Sequence, residues 1–150
     1  MKQVRRLSLY TVFAAAVLAL TGCGQKTAEV KEPVFHKVVI QVSTNDPKTQ
    51  TIALNNAANV RKAYGRDNVD VQVVAYGPGL SLLTRKSKNA ERVASMAMEG
   101  VHFNACGNTM KKIARKTGHK PALTDGVVVV PAGVGRIMEL QEQGYAYVRP

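Results

Sequence analysis

Residues 101–116 read VHFNACGNTMKKIARK, and this run decides the fold. Val101–Ala105 is short, rich in apolar and aromatic side chains, and reads as a β-strand. Gly107–Lys116 places Met110, Ile113 and Ala114 at the spacing of one helical face, with basic residues between them. A strand that passes into a helix across the single residue Cys106 is half of a crossover unit, which joins parallel strands.

The same alternation continues on both sides of this run. Upstream, Lys37–Val42 (KVVIQV) is β-branched and nearly all apolar, as in a strand covered on both faces. Pro47–Tyr64 carries Ile52, Leu54, Ala57, Ala58 and Val60 at helical spacing, with Pro47 in the first turn and Gly65 as the stop. Val69–Tyr76 (VDVQVVAY) is a second strand, ended by Gly77-Pro78-Gly79. Leu80–Lys88 gives mixed signals, a short helical turn and then a mobile basic loop. Asn89–Glu99 predicts a helix with Val93, Met96 and Ala97 inward and Gly100 at its end. Downstream, Gly126–Val130 (GVVVV) is a fourth strand, Val134–Gln143 a helix stopped by Gly144, and Tyr145–Val148 a last strand. Strands alternating with helices of these lengths predict an α/β fold, a three-layer α/β/α sandwich on a mostly parallel sheet of about five strands. The crossovers should be right-handed, with helices on both faces.

The first 35 residues belong to something else. Lys2, Arg5 and Arg6 precede an uncharged stretch, Leu7–Leu20, which is shorter than the roughly 20 residues of a membrane span and fits a signal-peptide core. Leu20-Thr21-Gly22-Cys23 follows and resembles the lipobox of bacterial lipoproteins. That resemblance implies removal of residues 1–22, lipidation of Cys23, and anchoring to a membrane through two or more acyl chains. Gly24 after Cys23, with no Asp there, points to the outer membrane, facing the periplasm. A conventional signal peptide cut near Ala19 is the alternative. Residues 23–35, the anchor cysteine and a polar stretch without periodicity, read as a flexible tether, and residues 36–150 as one domain.

The chain holds 21 basic and 10 acidic residues, a formal net charge of +11. Loss of residues 1–22 removes three of the basic residues and no acid, which leaves +8 on 128 residues, enough for one core. An envelope location and the scarcity of aromatics for base stacking argue against nucleic acid as the partner. The excess charge serves as a solvated surface or attracts anionic headgroups or small anions.

Ligands of open α/β sheets bind beyond the carboxyl ends of the strands. Four segments should meet there: Ser43–Asp46, Tyr76–Gly79, Asn104–Asn108 and Pro131–Gly133. Cys106 lies where the third strand becomes a helix, and the helix terminus favours its thiolate. The predicted site is Cys106 as the reactive group, with Asn45, Tyr76, Gly77, Gly107 and Asn108 around it. Gly107 permits close approach of another group, and Asn108 or Thr109 is expected to cap the helix. The alternative is a Cys106 that is merely a small buried apolar residue. With Cys23 lipidated, no dithiol pair remains for oxidoreductase work, and cysteine-rich metal sites are excluded. No metal or cofactor is called for. Lys111, Lys112, Arg115 and Lys116 read as a solvated helix face, the alternative being that they draw in anionic sulfur species such as polysulfide or thiosulfate, and His102 reads as a packed strand residue. Pro131–Gly135 is glycine-rich but matches no phosphate-binding pattern.

Taken together, the valine-rich first strand, Tyr76-Gly77-Pro78-Gly79, Phe103–Met110, and the ending from Gly126–Gly133 through Gly144–Pro150 resemble the DsrE/DsrF-like family. The resemblance covers about His36 to Pro150. It implies an α/β domain of a sulfur-relay family, persulfide carriage on Cys106, a thiol-bearing protein or small sulfur species as partner, and a homo-oligomer, trimer or hexamer. A lipid anchor departs from the cytoplasmic relays of the family. The competing expectation is a lipid-anchored binding module in which Cys106 is incidental.

Overall fold

The structure, a computed structural model, describes residues 34–150. The expectations for the signal segment, for Cys23 and for the tether as far as residue 33 lie outside the described residues. The elements in order are β1 (His36–Val42), α1 (Pro47–Tyr64), β2 (Val69–Ala75), a 3-10 helix (Gly77–Leu83), α2 (Ala90–Met98), β3 (His102–Cys106), α3 (Gly107–Thr117), β4 (Val127–Val130), α4 (Gly133–Glu142) and β5 (Ala146–Val148). A further 3-10 turn, Arg66–Asn68, leads into β2.

Local chemistry sets the helix ends. Asp46 caps α1 by accepting a hydrogen bond from Thr49 N–H at 2.7 Å, and Pro47 follows where a missing N–H costs nothing. Helix α3 closes on Gly118, whose φ of 83° is left-handed and whose N–H bonds the Ala114 carbonyl.

All five strands are parallel, in the order β4-β3-β2-β1-β5. That order determines where the helices lie. From β1 to β4 the chain always steps the same way, so right-handed crossovers put α1, α2 and α3 on one face. The return from β4 to β5 runs back across the sheet and puts α4 on the other. The packing agrees. Leu54, Val93 and Met96 join Ile40, Val73 and Phe103 in the larger core, while Ile137 and Leu140 meet Val39 and Val74 in a smaller one. The sandwich is therefore lopsided, three helices against one.

The thinly covered face is finished with polar side chains. Asn104 Nδ2 donates to Gln72 Oε1 at 3.0 Å, both residues being buried. Tyr145 donates its hydroxyl to Asp70, and Tyr147 to Gln41 Oε1 at 2.6 Å. Burial and the neighbouring Asp70 carboxylate push the Tyr145 phenol up to about 12, so it stays a donor. His102 also lies on this face. Contrary to the packed position expected for it, its side chain is 60% exposed, 3.7 Å from Asp70 Oδ1. It neighbours a face that no second helix covers.

The expected basic loop after Leu83 is pinned rather than loose. Thr84 pairs antiparallel with Leu123, and Arg85 binds the Ala122 carbonyl through its N–H and Asp125 through its guanidinium at 2.9 Å. Phe103, fully buried, is among the largest side chains at the centre of the main core. Phe103→Ala is expected to cost about 3–5 kcal/mol, by lost transfer energy and the cavity left behind. A urea titration checks this, reading the midpoint at constant slope.

Candidate functional site

The carboxyl edge of the sheet gathers the loops after β1, β2, β3 and β4. The first two are locked together by backbone. Tyr76 N–H binds the Val42 carbonyl at 3.1 Å, and Gly79 lies so near that a Cβ on it would be 2.2 Å from the same oxygen. The loops after β3 and β4 are equally close. A Cβ on Gly107 would stand 3.0 Å from the Val130 carbonyl oxygen, and Asn108 N–H binds the Pro131 carbonyl at 3.2 Å.

Cys106 ends β3 and is itself the N-cap residue of α3, so neither Asn108 nor Thr109 caps that helix. Its side chain points toward α4. A Cβ on Gly133 would lie 3.2 Å from Cys106 Cβ and 2.9 Å from Tyr76 Cβ, so only glycine lets the first turn of α4 come this near. The thiol thus faces the amino ends of two helices, each presenting unpaired N–H groups. Burial pushes the Cys106 thiol up. The Thr109 hydroxyl and the N–H groups of Thr109, Gly133 and Asn108 outweigh burial, and the net pKa is below that of an ordinary cysteine. The Thr109 hydroxyl oxygen is occupied as an acceptor by Gly77 N–H at 2.9 Å, which leaves its proton free for the sulfur. Cys106 is 5% exposed, a buried thiol with an activating environment rather than a freely open one.

Beside it lies a cleft of about 670 Å³ between the 3-10 helix and α3. Tyr76, Gly77, Pro78, Leu80, Ser81 and Thr84 form one wall; Asn108, Thr109, Lys112, Ile113 and Lys116 form the other. Of the residues expected at the site, Tyr76, Gly77 and Asn108 line this cleft, while Cys106 and Gly107 do not, Gly107 lying against the Val130 and Pro131 carbonyls. Asn45 does not reach it. It sits exposed in the loop before α1, and α1 reaches the cleft wall through Gln50 Nε2, a donor to Ser81 Oγ at 2.8 Å. Asn104 is turned into the Gln72 pair beneath α4.

Four residues take positions that the sequence reading does not assign to them. Thr109 sits three residues beyond the N-cap, the spacing at which a first-turn side chain meets the cap, and that signal was readable. Gly133 and the cleft-facing position of Lys112 and Lys116 follow only from the packing of α4 and the 3-10 helix. Among the described residues no cluster of His, Cys, Asp and Glu has the arrangement to hold a metal ion, and no helix is long and apolar enough to cross a membrane.

Comparison with known proteins bears on the whole domain. Residues 36–150 match the family model described as DsrE/DsrF-like family. Among solved structures, the protein of unknown function MTH1491 from Methanobacterium thermoautotrophicum is 34% identical, with a TM-score of 0.69 over 77% of this chain and 99% of that one. No curated protein matches.

Proposed function

Because this chain belongs to the DsrE/DsrF-like family, we propose that it accepts sulfur as a persulfide on Cys106 and passes it to a second thiol. One observation carries the reading: the Cys106 sulfur faces the starts of both α3 and α4, where the Thr109 hydroxyl and three backbone N–H groups favour the thiolate. Thiolate is the form that attacks a donor sulfur and later yields it to an acceptor. No acid–base residue is needed when backbone and hydroxyl do the activation.

The lipobox-like run ending at Cys23 supports a lipid-anchored protein of the bacterial envelope, outer membrane and periplasmic side, with residues 23–35 as tether. Self-association into a trimer or hexamer has support in one apolar region. Among the described residues the outer edge of β4 is unpaired, Val128 and Val129 are more than half exposed, and so are Val134 and Met138 on α4. The 5% exposure of Cys106 favours a second reading, a lipid-anchored binding module whose buried cysteine is incidental.

The experiment is the intact mass of the Cys23→Ser protein, in which Cys106 is the sole thiol, after incubation with inorganic polysulfide. Persulfide carriage predicts a gain of one or more sulfur atoms, reversed by reductant and absent once Cys106→Ser is added. An unmodified mass from folded, unoxidised protein would transfer support to the binding module.

A further inference from the structure

The cleft beside Cys106 is larger than sulfur exchange by itself requires. A polysulfide or thiosulfate has only a few heavy atoms, whereas about 670 Å³ falls within the range of sites for organic ligands, roughly 300–1,000 Å³. Its lining is chemically divided. Tyr76, Pro78 and Ile113 present apolar surface, while Lys112 and Lys116, one helical turn apart on α3, bring two positive charges. No Asp or Glu lines it. Cys106 itself is not part of the lining; Thr109 connects the two, since it lines the cleft three residues beyond Cys106 and its side chain helps to lower the Cys106 pKa.

We propose that this cleft binds an organic anion with an apolar body, the body against Tyr76, Pro78 and Ile113 and the anionic head at Lys112 and Lys116, and that the physiological sulfur donor is an organic hydropersulfide of this class. The donor half rests on the persulfide reading; the binding half does not. In the transfer step the Cys106 thiolate attacks the terminal sulfur of R–S–S–H. A new S–S bond forms as the donor's own S–S bond breaks, RS⁻ leaves as the thiolate with its R–S bond intact, and the proton stays on the transferred sulfur as Cys106–S–S–H. No external oxidant or reductant is required. The neutralising lysines would hold the departing product anion in the cleft as readily as the donor, so product is expected to compete.

The test uses the full-length protein and 4-phenylbutyrate as an unreactive probe, with acetate and the cation 4-phenylbutylamine as controls, followed by titration calorimetry. The aryl-alkyl anion should bind at least tenfold more tightly than either control, each buried methylene being worth about a fourfold gain. Cys106→Ser should leave this unchanged. Lys112→Ala with Lys116→Ala, both at exposed positions that the fold does not need, should weaken it about tenfold or more. In a second arm, Cys106 is loaded either by the hydropersulfide of 4-mercaptophenylacetate or by inorganic trisulfide, with 4-phenylbutyrate as competitor. The probe should slow the aryl donor selectively. Equal binding of the amine, or indifference to the two lysines, overturns the anion site. Loading by trisulfide without any binding of the probe overturns the cleft proposal and leaves the persulfide reading standing. Lysine-dependent binding with no loading by either donor retains the anion site, and overturns the donor half together with the persulfide reading.

Discussion

Gly79→Ala is expected to destabilise the domain by about 4 kcal/mol or more, at the extreme of what one methyl group does. The new Cβ would stand 2.2 Å from the Val42 carbonyl oxygen, 2.5 Å from its carbon and 2.8 Å from Ser43 N. Ordinary overpacking costs about 1–3 kcal/mol because side chains rotate aside. Here all three obstacles are main chain, at the point where β1 leaves the sheet. Relief would require parting the end of β1 from the turn after β2, which would break the 3.1 Å bond from Tyr76 N–H to Val42 O. The same movement would displace Tyr76 and Gly77 and distort the cleft, so folding and ligand binding should fail together. Gly118→Ala is the control. Gly118 also needs a glycine-like backbone, at φ 83°, but nothing lies within 4 Å of its Cβ position, and the expected cost is about 1–2 kcal/mol. Denaturation midpoints of the two variants decide the matter. Comparable losses would mean that the turn has room to move.

What could be read from sequence, and what could not, divides along the same physical line. Parallel strands buried on both faces announce themselves as runs such as KVVIQV and VDVQVVAY, and helices by periodicity, so the five-strand α/β architecture and nearly every element boundary were legible. The position of Cys106 at a strand end followed from the same pattern. Long-range approach was not legible. Gly79 in a glycine-proline-glycine turn looks like simple punctuation, yet it is fixed by contact with a strand 37 residues earlier in the chain. Gly133 likewise reads as a helix start, and only the crossing of α4 over the sheet shows that it lets a second helix terminus reach the thiol. Asn45 shows the complementary limit. Strand-end position places a loop near the site but does not aim its side chains, and this one points into solvent. For His102, strand membership does not bring cover, because the α4 face carries one helix where the other face carries three.

Thr109→Val should slow alkylation of Cys106 near pH 7 by about tenfold. The substitution keeps the shape of the side chain and removes its hydrogen bond to the sulfur; a bond to a charged group is worth about 1.5 kcal/mol or more, and 1.36 kcal/mol is a factor of ten in thiolate population. The sign follows from the protonation states. Burial disfavours the thiolate, and the hydroxyl and amide donors that reverse this leave the pKa lowered. Taking the hydroxyl away moves the midpoint of the rate profile upward. The fold loss should therefore be full below both midpoints, shrink between them and vanish at alkaline pH, where both proteins are fully ionised. There the variant should react as fast or slightly faster, because a thiolate of higher pKa is the better nucleophile. Stability carries the same signature. A thiol that ionises more readily folded than unfolded adds stability above the unfolded pKa, and the increment is lost as pH falls through the folded value. Valine also leaves Gly77 N–H without its 2.9 Å acceptor, a structural cost that alone would lower stability without shifting the profile. Thr109→Ser separates the two effects, since it restores the hydroxyl and should restore the midpoint. Rates of iodoacetamide reaction in the Cys23→Ser background, measured across pH for all three proteins, test the account. An unmoved midpoint in Thr109→Val would remove the hydroxyl from the activation of Cys106 and leave the paired helix termini as its source.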